Sequence, residues 1–404
     1  MKLLQINVTA NWGSHGKIAE NIGKLAIKEG WESWIAYGRG TPMSESHLIR
    51  IGNDRDMKMH GVETRLFDNH GLASKGVTKR FIEQVKELKP DLIHLHNIHG
   101  YYINYPELFR FLKEYGAPVV WTLHDCWSMT GHCAHFEYVK CNRWQTECHD
   151  CPQKKIYPTS FFADRSRRNH EQKKASFLGC PNLTFVPVSD WLDRQLKQSF
   201  LSSYPSTVIQ NGIDISVFKP SDVEKNGEGK IILGVASVWG QRKGLEDFIK
   251  LRELLPEEYQ IILVGLNQKQ IAGLPQGIKG ISRTENVGQL IDLYSMADVF
   301  VNPTLEDSFP TVNLEALACG TPIVTYRTGG SPEAIDEKTG IVVEKGNVSG
   351  LAKAIKKVVD NPALYTSEYC RERAVEHFNQ DICFRKYIEL YQKLIDKANR
   401  NKMR

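Results

Sequence analysis

Two acids on one short stretch carry the first chemical signal in this sequence. Asp307 and Glu315 belong to NPTLEDSFPTVNLEALACG (Asn302 to Gly320), where an apolar strand end runs into an acidic loop and then into a helix. Val312, Leu314, Ala316 and Leu317 form the apolar positions of that helix, and Gly320 and Pro322 stop it. Asp307 or Ser308 is placed to cap it, and its first N–H groups and positive dipole end make a seat for hydroxyls or a diphosphate. Glu315 lies about two turns further along and can accept two hydrogen bonds from a ribose diol. The plainer alternative is a capped helix with one solvated acid.

Other residue groups point the same way with less force alone. TGGSPE (Thr328 to Glu333) sets Gly329, Gly330 and Ser331 before a short helix, a backbone N–H site suited to phosphate or an ordinary loop to a helix cap. Gly13 and Gly16 of NWGSHG follow the strand Lys2 to Val8 and precede a helix from Lys17 to Glu29, so a ligand can approach the backbone there. That turn has neither a GxGxxG pattern nor the residues of a phosphate loop. His124 ends the strand VVWTL and precedes Asp125; near pH 7 its neutral imidazole suits proton transfer, although a strand-end histidine is often structural. His94, His96, Asn97 and His99 follow another strand toward the same edge and can line an acceptor pocket, or be loop residues with local partners. Asp54 and Asp56 form a DxD read as a surface loop.

A chain of 404 residues is too long for one ordinary core, so two domains are expected. Strand patterns at Ser33–Tyr37, Asp91–Leu95, Pro118–Leu123 and Leu183–Val186 alternate with helical ones. A second alternation places strands at Lys230–Val235, Gln260–Val264, Asp298–Val301 and Pro322–Thr325, with helices at Gly244–Leu255, Val287–Met296 and Thr311–Ala318. The fold class is α/β with two Rossmann-like, doubly wound domains, whose facing strand ends would form a ligand cleft. The expected bounds are 1–200 for the first domain, with a Cys-rich insert at 126–158, and 201–378 for the second. SDVEKNGEGK (221–230) reads as a surface hinge, and 379–404 as a helix whose apolar face packs back on the first domain.

The net charge of +5 is mild, and no nucleic-acid partner is expected. Lys154, Lys155, Arg165, Arg167, Arg168, Lys173 and Lys174 cluster, as a solvated helix face or as a contact for an anionic membrane or substrate. No apolar run nears the ~20 residues of a membrane span, and MKLLQINVTANW turns polar too soon for a signal peptide. The expected place is the cytoplasm, either free or in peripheral contact with the inner membrane face.

NGID (Asn211 to Asp214), RKG (Arg242 to Gly244), the Asp307 and Glu315 stretch and TGGSPE, in this order, resemble glycosyltransferase family 4, retaining enzymes of the GT-B fold. The block TLHDCWSMTGHC (Thr122 to Cys133) looks like a bacterial subgroup that builds capsular and other exported polysaccharides. The resemblance implies a hexosyltransferase that moves a sugar from a UDP- or GDP-linked donor to a glycan, carried on a lipid. It implies that Asp307 and the backbone near Ser308 and Phe309 hold the donor sugar, that Glu315 holds the ribose, and that Lys243 binds the diphosphate. The family's first acid is usually Glu, so Asp307 is a departure, with Glu306 as a substitute. The family's Arg position falls on Val238, and Arg242 is assigned the missing charge. His124 matches the family's cleft histidine. Fixed cations and helix-end N–H groups can stabilise the leaving diphosphate, so no cofactor is required for catalysis. A nucleotide-sugar 2-epimerase of similar fold and a non-catalytic, zinc-stapled binding module are the alternatives.

Cys133, Cys141, Cys148 and Cys151 follow the order C-x7-C-x6-C-x2-C in an insert read as polar and poor in aromatics. They suit a closed structural zinc site or unligated buried thiols, with His132, His135 or His149 able to replace one Cys. Disulfides rank last because nothing directs export.

Overall fold

The computed structural model describes residues 1–223 and 229–402. Of the expected hinge at 221–230, residues 224–228 lie outside the described residues. The chain forms two compact units, Met1–Gln210 joined by Cys383–Arg404, and Asn211–Ile382.

The first unit contains β1 (Lys2–Thr9), α1 (Gly13–Lys28), β2 (Glu32–Arg39), β3 (His47–Arg50), α2 (Asp54–Phe67) and α3 (Lys75–Leu88). It continues with β4 (Leu92–Leu95), α4 (Tyr105–Tyr115), β5 (Val119–Leu123), α5 (Ser166–Phe177), β6 (Leu183–Pro187) and α6 (Asp190–Lys197). Its sheet has the order β3-β2-β1-β4-β5-β6, and all pairs are parallel. Helices cover both faces, so β4, β5 and β6 are buried along their whole length. Residues 201–210 stay with this unit because the chain runs on beside β6: Thr207 N–H donates to Phe185 O at 3.1 Å and Ile209 N–H to Pro187 O at 3.2 Å.

The second unit contains β7 (Lys230–Val235), α7 (Leu245–Leu254), β8 (Tyr259–Val264), α8 (Gln268–Ala272), β9 (Ile278–Ile281) and α9 (Val287–Met296). It continues with β10 (Val299–Asn302), α10 (Thr311–Ala318), β11 (Ile323–Tyr326), β12 (Gly340–Val343), α11 (Val348–Val359) and α12 (Ser367–His377). Its parallel sheet runs β12-β11-β10-β7-β8-β9, which repeats the first sheet's winding. In each sheet the strand order reverses between two central strands, β1 and β4 or β7 and β10. The strands absent from the sequence pattern, β3, β9 and β12, are all four-residue edge strands with one neighbour each.

The last helix, α13 (Gln380–Lys402), begins in the second unit and completes the core of the first. Phe384, Tyr387, Tyr391 and Ile395 recur at helical spacing and are buried with Leu3, Ile22, Leu92 and Val120. Two hydroxyls fix the register: Tyr391 OH meets His94 Nδ1 at 2.6 Å, and Tyr387 OH meets Thr122 Oγ1 at 3.0 Å. Thr122 in turn meets His94 Nε2 at 2.8 Å, so both ring nitrogens of His94 are used within the core.

Two sequence expectations are corrected here. Asp54 and Asp56 do not lie in a loop: they form the first turn of α2, and the Asp56 carboxylate accepts the Asn53 N–H in a capping box. The Cys-rich insert is not poor in core. Trp127, Phe136 and Trp144 are buried, Phe136 stacks on Trp144 at 4.5 Å, and Lys173 of α5 places its ammonium 3.5 Å from the Trp127 ring centroid. Lys173 also donates to Thr130 O at 2.9 Å and to Trp127 O, and burial pulls its pKa down to about 7.

Tyr391→Phe removes the partner of a buried imidazole nitrogen while keeping the ring. The expected loss is about 1–3 kcal/mol of stability in the first unit, read from chemical denaturation.

Candidate functional site

In the second unit the candidate residues converge at the carboxyl ends of β7, β10 and β11. Gly244 ends the RKG turn with φ +76°, and a Cβ there would lie 2.3 Å from Pro303 O, so the turn is pressed against the strand end. The turn's carbonyl at Arg242 accepts the Leu305 N–H at 2.8 Å, and the Arg242 guanidinium donates to Glu306 O at 3.1 Å. These bonds place Lys243 Nζ in an ion pair with the Asp307 carboxylate, both side chains being largely but not wholly covered. Gly329 closes the arrangement from the β11 side. Its φ is +54° and a Cβ would stand 1.7 Å from Asp307 O, while the Gly330 N–H donates to the same carbonyl at 3.3 Å.

Around this pair the other expected contacts sort themselves by burial. Ser331 is fully buried: its Oγ meets Thr325 Oγ1 at 2.7 Å and accepts from Asn313 Nδ2 at 3.0 Å, so it braces the loop from below. Phe309 is buried and its ring faces Phe378. Glu315 is half-buried and accepts the Tyr294 hydroxyl at 2.9 Å. Neither Asp307 nor Ser308 caps α10, whose N-cap is Pro310 without a side-chain bond; proline fixes the entry angle, and the two residues sit too early in the chain to reach the first turn. Instead Ser308 Oγ, together with Thr328 Oγ1, is a buried hydroxyl with no partner. Such groups cost stability unless something meets them. Val238, at the family's Arg position, is 74% exposed. A wider groove of about 630 Å³, lined by Arg252, Gln260 and Lys279 among others, opens toward the amino-terminal half of β8, away from these loops.

In the first unit, imidazoles gather at the carboxyl ends of β1, β4 and β5. Gln5 Nε2 donates to Ala19 O at 2.8 Å, which turns its Oε1 toward His96 Nε2 at 3.0 Å. His96 therefore carries its proton on Nε2 and accepts at Nδ1, 3.1 Å from His124 Nε2. The consequence is that His124 donates at Nε2 and leaves its Nδ1 lone pair for another hydroxyl. The two rings stack at 5.4 Å, and burial holds both pKa values well below the ordinary histidine value of 6.5, helped by repulsion from His94 and His15 at His96 and from His96 and His15 at His124. His15, quoted within NWGSHG but passed over in the sequence, lies 6.0 Å from the His124 ring, and burial lowers its pKa to about 4. His99 is fully engaged, with Nε2 2.9 Å from Asp125 and Nδ1 2.9 Å from Tyr157 OH. Burial favours protonation of Asp125, but His99 and the Trp127 N–H outweigh it and keep the carboxylate ionised. Asn97 is buried and its N–H points to Asn7 Oδ1 at 3.3 Å.

The two loop glycines differ. The structure starts α1 at Gly13, four residues before the expected start. Gly13 has φ +68° and open space around it, whereas Gly16 is buried, and a Cβ there would lie 2.8 Å from Thr9 Oγ1. Gly16 thus seats the helix on β1, and only Gly13 leaves room for a ligand.

Residues 18–217 match Glycosyltransferase Family 4, and residues 229–361 match Glycosyl transferases group 1. A glycogen synthase of Mycobacterium tuberculosis is 33% identical over 331 residues, covering 79% of this chain and 70% of the relative. The chain belongs to glycosyltransferase family 4. The transferase is also similar to a putative colanic acid biosynthesis glycosyl transferase of Escherichia coli (strain K12), 24% identical over 98% of this chain and 100% of the relative. Among solved structures it resembles Anabaena HepE in complex with UDP-glucose, with a TM-score of 0.66, 16% identity, and coverage of 97% and 100% of the two chains. Its two parallel six-stranded sheets match this GT-B architecture. Neither an epimerase nor a non-catalytic module is supported by these matches.

The four cysteines of the transferase's insert do not form the expected zinc group. Among the described residues, no three His, Cys, Asp or Glu side chains are placed to hold a metal ion. All four are free thiols: Cys133 donates a hydrogen bond to the Cys151 sulfur, and Cys148 accepts the Gly131 N–H at 3.2 Å. His132 binds Asp68 at 2.6 Å rather than standing in for a cysteine at Nδ1. No helix among the described residues is long and apolar enough to cross a membrane.

Gly329→Ala combines a left-handed backbone with a Cβ inside a carbonyl, so it should cost the second unit at least about 2 kcal/mol, measured by urea unfolding. The histidines give a pH dependence of definite sign. Burial lowers the pKa of His15 and His60 to about 4, and those of His70, His94, His96 and His124 well below 6.5. The unfolded chain therefore takes up protons below pH 6.5 that the folded unit refuses. Stability from these groups is complete above that pH and falls as pH drops toward 4, by up to about 1.4 kcal/mol per pH unit for each histidine. His132 acts oppositely: burial lowers its pKa, but Asp68 outweighs this and raises it, so its contribution is present below pH 6.5 and lost as pH rises through the raised value. Burial also lowers His170, so denaturation midpoints taken from pH 7.5 down to 5 should fall with a slope of more than one proton, because seven histidines oppose one.

Proposed function

We propose that this transferase moves a hexose from a nucleoside diphosphate sugar, UDP-linked by preference and GDP-linked as the alternative, to a lipid-carried glycan in the assembly of an exported polysaccharide. The observation that carries the donor assignment is the Lys243–Asp307 ion pair held between two glycine turns, Gly244 and Gly329. A diphosphate needs fixed cations, a carboxylate that can turn from Lys243 to sugar hydroxyls, and backbone N–H groups close by. The loops around Asp307 have all three. Ser308 Oγ and Thr328 Oγ1, buried without partners, are suited to hydroxyl or phosphate oxygens of the same ligand. Glu315 is assigned to the ribose, sharing its carboxylate with Tyr294 OH. Support for the donor class comes from the HepE structure, which contains UDP-glucose. Support for the pathway class comes from the colanic acid relative.

In this mechanism Lys243 and Arg242 neutralise charge that develops on the leaving diphosphate. No residue in the described loops is set as a covalent nucleophile, so we assign same-face attack assisted by the departing phosphate, with retention at the sugar carbon. His124 supplies the Nδ1 lone pair for a sugar hydroxyl, its direction fixed by His96 and Gln5. Asp125 and His99 form a braced rim for the acceptor.

A thermal-shift panel of UDP-, GDP-, ADP- and dTDP-sugars tests the donor assignment. The cognate donor at a hundred times its Kd should add about 2.7 kcal/mol of stability. Lys243→Ala should lose that shift and lower kcat/KM by about a hundred- to a thousandfold. An undiminished shift in Lys243→Ala sinks the diphosphate role, and an inverted product anomer by NMR sinks the same-face step.

A further inference from the structure

The first unit carries one exposed face on which large apolar side chains and cations are interleaved. On α2, Arg55, Met59, Val62 and Leu66 recur at intervals that bring them into a single stripe, and all four are exposed. Lys58 and Arg65 flank the stripe on one side, and half-buried Glu63 lies off the other. The acids of the first turn are occupied, Asp54 by Arg50 and Asp56 by the Asn53 N–H. A helix face meant for water would not place three large apolar groups in line.

The segment after the Cys-rich insert extends this face. Phe161 N–H donates to Arg65 O at 2.8 Å, and Arg165 binds Asp68 and Asn69 while its guanidinium sits 6.0 Å from the Phe67 ring. These bonds tie the segment to the end of α2. They leave Phe67, Phe161 and Phe162 48%, 57% and 74% exposed, with Lys155 and Ile156 also exposed nearby in the chain. Aromatic and aliphatic groups beside lysines and arginines, on a rigid helix and an anchored loop, are the composition of a surface that lies in a lipid headgroup layer.

We propose that this face of α2 and residues 155–162 docks on an anionic lipid bilayer. Charge complementarity selects the occupant. The interleaved cations attract anionic headgroups, each contributing about fivefold to partition near such a surface. A second copy of the chain packed on the same patch by two-fold symmetry would bring Arg55, Lys58 and Arg65 against themselves. The proposal deepens the reading of a lipid-carried acceptor, and rests on it, by assigning the surface from which that acceptor is reached.

Sedimentation of the full chain with vesicles, without any sugar donor, tests it. Binding to phosphatidylcholine vesicles containing phosphatidylglycerol should exceed binding to phosphatidylcholine alone by at least about tenfold and weaken with salt. Phe161→Ser with Phe162→Ser, and separately Lys58→Glu with Lys155→Glu, should each reduce anionic binding about tenfold or more while leaving the melting temperature unchanged, because these side chains are exposed. Equal binding to both vesicle types, no binding by the parent chain, or full binding by both double variants overturns the proposal. Loss of a dimer in sedimentation, with no vesicle binding, would assign the face to a second copy instead. Transfer to a soluble acceptor separates the two readings: vesicle binding without transfer leaves docking standing and removes the proposed chemistry, and the reverse leaves the chemistry and removes docking.

Discussion

Parallel strands cannot be joined by a tight turn; each must be followed by a crossover that carries the chain back to the starting edge. Both sheets are wholly parallel and wound in the same order, so every strand releases its chain at the same edge. That constraint gathers residues far apart in sequence. Arg242 and Lys243 after β7, Asp307 after β10 and Gly329 after β11 meet because their strands are neighbours at the point where the order reverses. In the first sheet the same rule brings His15, His96 and His124 together after β1, β4 and β5.

Much of this was legible in the sequence because apolar runs and glycine turns recur wherever a strand feeds a helix. The central strands stood out, and α9 and α10 have the bounds their apolar spacing indicates. Edge strands β3, β9 and β12 did not, since four residues paired on one side need little pattern. Lys243, Asp307, His96 and His124 were singled out from the sequence, but the way they pair was not. The Lys243–Asp307 pair depends on the spacing of two strand ends, and the His124 tautomer depends on Gln5, whose amide is oriented by Ala19 O. Sequence spacing holds no trace of either. Ser331 shows the converse, a motif serine whose hydroxyl is consumed by Thr325 and Asn313 beneath the loop.

The two side-chain clusters use opposite electrostatic means. In the second unit, charge is kept and paired, Lys243 against Asp307. In the first unit, charge is suppressed: neutral imidazoles are packed close enough that protonating one penalises its neighbours. A neutral ring can accept a proton from a hydroxyl and give it back; a permanently charged one cannot. Half-buried Asp125 is the exception beside them, kept ionised because His99 and the Trp127 N–H are fixed against it.

The helix α13 leaves the second unit at Ile382 and fills the core of the first with Phe384, Tyr387, Tyr391 and Ile395. During synthesis those residues emerge only after the whole of the intervening unit. The nascent first sheet must therefore wait, with His94 and Thr122 lacking their tyrosine partners, while about half the polypeptide is still being translated. The amino-terminal half therefore cannot complete its core from its own residues.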